Sequence, residues 1–216
     1  MLQITGSGKL VFDESHLANM RATYSENRFL RLPKLIEPSI LKRVVDHIEA
    51  ADFFPAYYNN QKRKLGEEIR ISPDNPAIRI MSMMLNNSEL FQIVEKITGC
   101  EKIRSFLGRI RRESPGTSHF LDWHDDPKPT RLVGISINLS PEPYIGGVFQ
   151  LREKATEKMM VEIANTGLGD AFIFQVSNGY QHRVTNLEGT IPRTTCTGWF
   201  YSEPDFLTMM GFNQQK

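Results

Sequence analysis

The chain is poor in cysteine, in net charge and in long apolar runs, and each shortage closes off a class. Only two cysteines occur among 216 residues, Cys100 and Cys196. A disulfide framework is not expected from so few. Two thiols this far apart read as reduced, buried and structural. The formal net charge is +1, which marks neither a nucleic-acid binder nor a membrane-surface binder. No run approaches the apolar length of a membrane span. The opening MLQITGSGKLVFDESH has no continuous apolar core and carries acids early, so it does not read as a secretory signal. No internal repeat is evident. What remains is an ordinary globular composition, 40% hydrophobic and 24% charged. The length suits one well-filled core. The expectation is one cytoplasmic domain over 1–216.

The texture changes near residue 102. Before it, LVFD suggests a short strand and Glu14 to Ser25 a helix. In EPSILKRVVDHIEAADFF, Pro38 suits a first helical turn. Ile40, Leu41, Val44, Val45 and Ile48 recur at helical spacing. YYNNQKRKLGEEIRISPDNP is polar and turn-rich and reads as an exposed loop. In NNSELFQIVEKITG, Asn87 or Ser88 can cap a helix, Leu90, Phe91, Val94 and Ile97 form its face, and Gly99 stops it. From 102 to 203 there are about eight short β-like runs parted by Gly, Pro, Asn and Ser. The fold class expected is mainly β with helices on one face (α+β). Its architecture is a jelly roll, with 1–101 as a helical and irregular support region.

Three pieces could carry chemistry. The first is FLDWHDDPKP, residues 120–129. On a strand, His124 and Asp126 point to one face and Trp123 and Asp125 to the other. Alone, this His-x-Asp is weaker evidence than the good turn chemistry of DDPKP. The second is His182 in GYQHRVTN. Two histidines and one carboxylate on different strands form the 2-His-1-carboxylate set of non-haem iron(II), and also suit zinc hydrolysis. The third is Arg193, with Thr195 on the same face. A buried arginine in a β barrel demands an anion, and a guanidinium matches a carboxylate bidentately.

Together these residues carry a resemblance. His124-x-Asp126, Gly146-Gly147 before a strand, GDAFIF, His182-Arg183-Val184-Thr185, Arg193-x-Thr195 and GWFYS resemble the iron(II)- and 2-oxoglutarate-dependent oxygenases, most of all their prolyl-4-hydroxylase-like branch. The match covers roughly 105–202. The resemblance implies a double-stranded β-helix with iron(II) on His124, Asp126 and His182. Arg193 would pair with the distal carboxylate of 2-oxoglutarate, assisted by Thr195. With dioxygen as second cosubstrate, decarboxylation to succinate and carbon dioxide would accompany hydroxylation of a substrate C–H bond. Asp126 argues against halogenation, since halogenating relatives replace that carboxylate. The tyrosine this branch often carries before the His-x-Asp motif is missing from RIRRESPG, which leaves Arg109 or Arg111 to line the pocket instead.

Other roles are looser. Asn138 in GISINLS and Arg131 after the His-x-Asp loop are candidate substrate-side residues with Arg109. The substrate expected is a small molecule or a peptide or protein side chain, with no nucleic-acid partner and no membrane. Two readings stand beside the oxygenase: a cupin-like metal protein without 2-oxoglutarate, and a non-catalytic jelly-roll module. The oligomeric state is not legible.

Overall fold

The structure is a computed structural model that describes residues 2–57, 64–69, 74–117, 119, 121–164 and 167–203. The N-terminal part holds β1 (Leu2–Ile4), β2 (Leu10–Phe12), α1 (Leu17–Asn27), β3 (Phe29–Leu32) and α2 (Pro38–Glu49). Then come β4 (Phe53–Tyr57), β5 (Lys64–Ile69), α3 (Pro76–Leu85) and α4 (Ser88–Thr98). The core strands are β6 (Ser105–Glu113), β7 (Leu121–His124), β8 (Arg131–Asn138), β9 (Ile145–Gly146) and β10 (Phe149–Glu153). They continue with β11 (Met159–Ile163), β12 (Ala171–Gln175), β13 (Tyr180–Val184), β14 (Leu187–Glu188) and β15 (Arg193–Tyr201).

The helices form where local chemistry dictates. Pro38 opens α2, and Ile40, Leu41, Val44 and Ile48 are its buried face. The Asn87 side chain accepts from the amides of Glu89 and Leu90 to start α4, and Gly99 ends it in the left-handed region at φ 69°. In α3, Asn75 caps and Pro76 takes the first turn.

Two antiparallel sheets form a double-stranded β-helix. The larger runs β3-β12-β8-β15-β6-β5-β4 and the smaller β11-β10-β13-β7. Period-two alternation gives the larger sheet two faces. Ile110, Val133, Ile135, Ile137, Ile173, Cys196 and Phe200 join the buried residues of the helices in one core. On the other face, Phe172 and Phe174 meet Phe149 and Leu151 of the smaller sheet. The space between the sheets holds the candidate site.

The segment before residue 102 supplies sheet as well as helix. β3 pairs with β12, and the β4–β5 hairpin pairs onto β6. The stretch read as an exposed polar loop therefore holds a strand at Lys64–Ile69, while residues 58–63 and 70–73 lie outside the described residues. Pro55 sits in β4, the edge strand, where a missing amide breaks no ladder. Cys196 is buried and its thiol is pushed up to about 12 by burial. Cys100, expected to be buried, is half-buried at the end of α4, and neither cysteine is in a disulfide. No helix among the described residues is long and apolar enough to cross a membrane.

Candidate active site

His124 ends β7 and lies directly opposite His182 of β13 in the strand register. Their rings stand 4.2 Å apart between centroids. Asp126 follows two residues on and turns its carboxylate toward both. Its Oδ2 is 3.7 Å from His124 Nε2 and 3.5 Å from His182 Nε2. One ligand atom from each of the three lies within 4.8 Å of the others.

The surroundings hold these groups in ligand form. His124 Nδ1 is 2.7 Å from the Asp122 carbonyl, which fixes the proton on Nδ1 and leaves the Nε2 lone pair toward the cluster. Burial first, and then the His182 charge, lower the His124 pKa to about 4, so the ring is neutral at neutral pH. Burial opposes ionisation of Asp126. The His182 hydrogen bond and the charges of His182, His124 and Arg131 outweigh it, so the carboxyl stays below its ordinary value. His182 is walled by Phe174 at 4.7 Å and Phe149 at 5.8 Å. Phe174 needs Gly134: a Cβ there would come within 2.3 Å of its ring.

The cluster opens on a cavity of about 430 Å³ lined by both sheets. Arg193 lines it from β15 and is buried, 6% exposed in its side chain. Its Nη1 donates to Glu113 Oε2 at 2.7 Å, across the β6–β15 register. Burial works against its charge, but Glu113 and Tyr144 more than compensate and raise its pKa. Its Nε is enclosed and has no partner among the described residues. Gly147 makes room for it: φ is +59°, and a Cβ would stand 2.9 Å from Arg193 Cδ. Thr195, also buried, shares the face and lines the same cavity.

The remaining candidates divide. Arg109 lines the cavity and its Nη1 pairs with Glu68 at 3.2 Å. Arg131 also lines it, but its guanidinium lies 3.8 Å over the Trp199 ring and donates to the Asp126 carbonyl at 3.2 Å. Asn138 is buried and accepts from the Ser140 amide at 3.0 Å, lining a smaller adjoining pocket with Tyr144 and Arg193. Asp125 pairs with Lys154 at 2.5 Å at the cavity rim. Glu113 and Tyr144 were not singled out in the sequence. For Glu113 a signal existed: Arg109, Arg111 and Glu113 are two apart on one strand face.

The donor set suits a divalent metal open to exogenous ligands: two neutral imidazoles, one carboxylate and a free cavity beside them. The orphaned Arg193 Nε suits an incoming carboxylate. Residues 109–201 match the family model described as the 2OG-Fe(II) oxygenase superfamily. That match identifies the stretch from 109 to 201 as an oxygenase core of that superfamily. The stretch runs from Arg109 on β6 to Tyr201 at the end of β15, so it contains all three clustered residues and Arg193. This oxygenase is also similar to solved structures. One is a 2OG-Fe(II) oxygenase family oxidoreductase from Burkholderia pseudomallei, at 14% identity and TM-score 0.68, over 94% of this chain and 98% of that one. Another is a Pseudomonas putida prolyl-4-hydroxylase, at 17% and 0.65, over 87% and 99%. A third is a Trichoplax adhaerens prolyl hydroxylase in complex with a hypoxia inducible factor oxygen degradation domain peptide fragment, at 16% and 0.63, over 94% of both chains. At such identities these show the fold. No curated protein matches the chain. As a dioxygenase of this superfamily, the enzyme uses iron(II), 2-oxoglutarate and dioxygen.

Proposed function

We propose that His124, Asp126 and His182 hold the iron and that this oxygenase hydroxylates a C–H bond of a substrate admitted to the cavity beside them. The observation that carries it is the convergence of these ligand atoms within 4.8 Å at a cavity whose wall holds the unpartnered Arg193 Nε. When bound, iron supplies the dioxygen-activating centre at which 2-oxoglutarate is decarboxylated and the substrate oxidised. The protein does the rest. His124 is kept neutral by burial and oriented by the Asp122 carbonyl. Asp126 is kept ionised and steered by Arg131. Arg193 receives the distal carboxylate of 2-oxoglutarate through its Nε, with Thr195 beside it, while Glu113 holds the other side of the guanidinium. Phe149 and Phe174 exclude water from the His182 face. Arg109 remains a candidate substrate contact at the cavity wall. Arg131 and Asn138 act through Asp126 and the Arg193 pocket respectively. The free thiols of Cys100 and Cys196 support a reducing, cytoplasmic setting.

Anaerobic visible absorption tests this reading. Iron(II) and then 2-oxoglutarate are added to metal-free protein, beside His124→Ala and Arg193→Ala variants. The expected result is a weak charge-transfer band that needs both additions, is lost with His124 and is weakened with Arg193. A folded wild type that shows no band overturns the assignment.

A further inference from the structure

The charges around the cavity pair off, with one exception. Arg109 is met by Glu68, Arg193 by Glu113 and Arg131 by Asp126. Lys128 is exposed to water. Arg111 is left over. It lies on β6 between Arg109 and Glu113, opposite Thr195 in the register, and lines the cavity. Its side chain makes no hydrogen bond and no ion pair among the described residues, and its Nε is enclosed without a partner. Its nearest counter-charges are Glu113 and Glu68, the latter opposite it in the β5–β6 register, and both are already paired, with Arg193 and Arg109, so three guanidiniums share two carboxylates. A half-buried cation short of counter-charge is costly. The other enclosed polar side-chain atoms without partners among the described residues are Arg193 Nε and Trp199 Nε1. All three are donors, and all three residues line this one cavity. The cavity is short of acceptors.

Cofactor and cosubstrate do not supply enough. A divalent metal, Asp126 and the dianion of 2-oxoglutarate together leave one negative charge, which Arg131 cancels. The two arginine–glutamate pairs are neutral. Arg111 therefore remains uncancelled, whichever arginine takes the distal carboxylate. We infer that Arg111 is a second anion-binding group, and that the oxidised substrate is a small carboxylic acid whose carboxylate it holds. A single residual charge matches a carboxylate better than a phosphate monoester, which carries nearer two. This inference rests on the oxygenase reading and names its substrate class.

The test uses full-length protein loaded with manganese(II) and proceeds in two stages. First, 2-oxoglutarate is titrated calorimetrically into wild type, Arg111→Gln and Arg111→Lys. Then, at saturating 2-oxoglutarate, the proteinogenic amino acids and short aliphatic acids are screened by thermal shift, each beside its primary amide. Expected is similar 2-oxoglutarate affinity in all three proteins. At least one acid should raise the wild-type midpoint where its amide does not. Arg111→Gln should weaken that acid about thirtyfold or more, with partial retention in Arg111→Lys. Arg111→Gln should itself melt no lower than wild type, because it removes an unmatched charge. Any of three results overturns the inference: amides that bind as well as acids, a screen with no acid bound, or Arg111→Gln losing 2-oxoglutarate itself. A wild type that does not bind 2-oxoglutarate sinks the oxygenase reading and this inference with it, and the first stage shows that before any acid is added.

Discussion

Glu113 and Arg193 set a contest between folding and binding that a single substitution exposes. The pair is 2.7 Å apart, with side chains 7% and 6% exposed. Replacing Glu113 by Ala leaves a buried guanidinium without its counter-charge. Breaking one side of a buried pair costs about 3–5 kcal/mol. For a chain of this size that lowers the melting midpoint by roughly 6–20 °C. Glu113→Gln keeps a hydrogen-bond acceptor and should lose less. The same change frees Nη1 for an incoming carboxylate, so 2-oxoglutarate should bind more tightly. At about a hundred times its dissociation constant a ligand returns about 2.7 kcal/mol. At a fixed 2-oxoglutarate concentration, Glu113→Ala should therefore gain more midpoint than wild type does. Differential scanning calorimetry of manganese-loaded protein reads both effects. A variant that melts at the wild-type temperature, or gains no more from 2-oxoglutarate than wild type, would refute the reasoning.

The metal-free protein should lose stability as pH falls from about 6.5 to about 4. Across that window the unfolded His124 takes up a proton that the folded ring, with its pKa near 4, refuses. The loss is about 3 kcal/mol, and acid-induced unfolding of His124→Gln should show less of it. Asp126, held below its ordinary carboxyl value, adds stability that is present above that value and lost as pH falls through it. Arg131→Gln should weaken metal binding about 10–100-fold by releasing Asp126, which competitive chelation can measure; unchanged affinity would remove Arg131 from that role. Gly147→Ala should destabilise by about 1–3 kcal/mol, because φ is +59° there. It should also weaken 2-oxoglutarate binding, because the new methyl meets Arg193 Cδ; denaturant titration and calorimetry check the two parts.

What the sequence showed followed local rules. Ile40, Leu41, Val44 and Ile48 revealed α2 because burial on a helix repeats every turn, and Asn87 and Gly99 bracketed α4 by capping chemistry. The larger sheet's core strands were legible because β6, β8, β12 and β15 alternate helix-facing apolar residues with cavity-facing ones. His124, Asp126 and His182 were legible as a set because strand pairing brings them together in the order the motif spells. β5 was missed because LGEEI has no β-branched residue before its last position, and its pairing to β6 is non-local. α3 was missed although Asn75 and Pro76 announce it, because the preceding stretch reads as one polar loop. The Glu113 partner of Arg193 is eighty residues away, and register, not composition, decides which charge meets which.

The chain contains only two tryptophans, and one of them lines the cavity. Trp199 lines the cavity under the Arg131 guanidinium. Trp123 adjoins His124 and lies between the guanidinium groups of Arg152 and Arg183, at 4.2 and 4.5 Å from its ring. Trp199 emission therefore stands against a single other indole. The protein's ultraviolet emission is thus a built-in optical gauge of this cavity, able to follow filling and emptying in real time without a label.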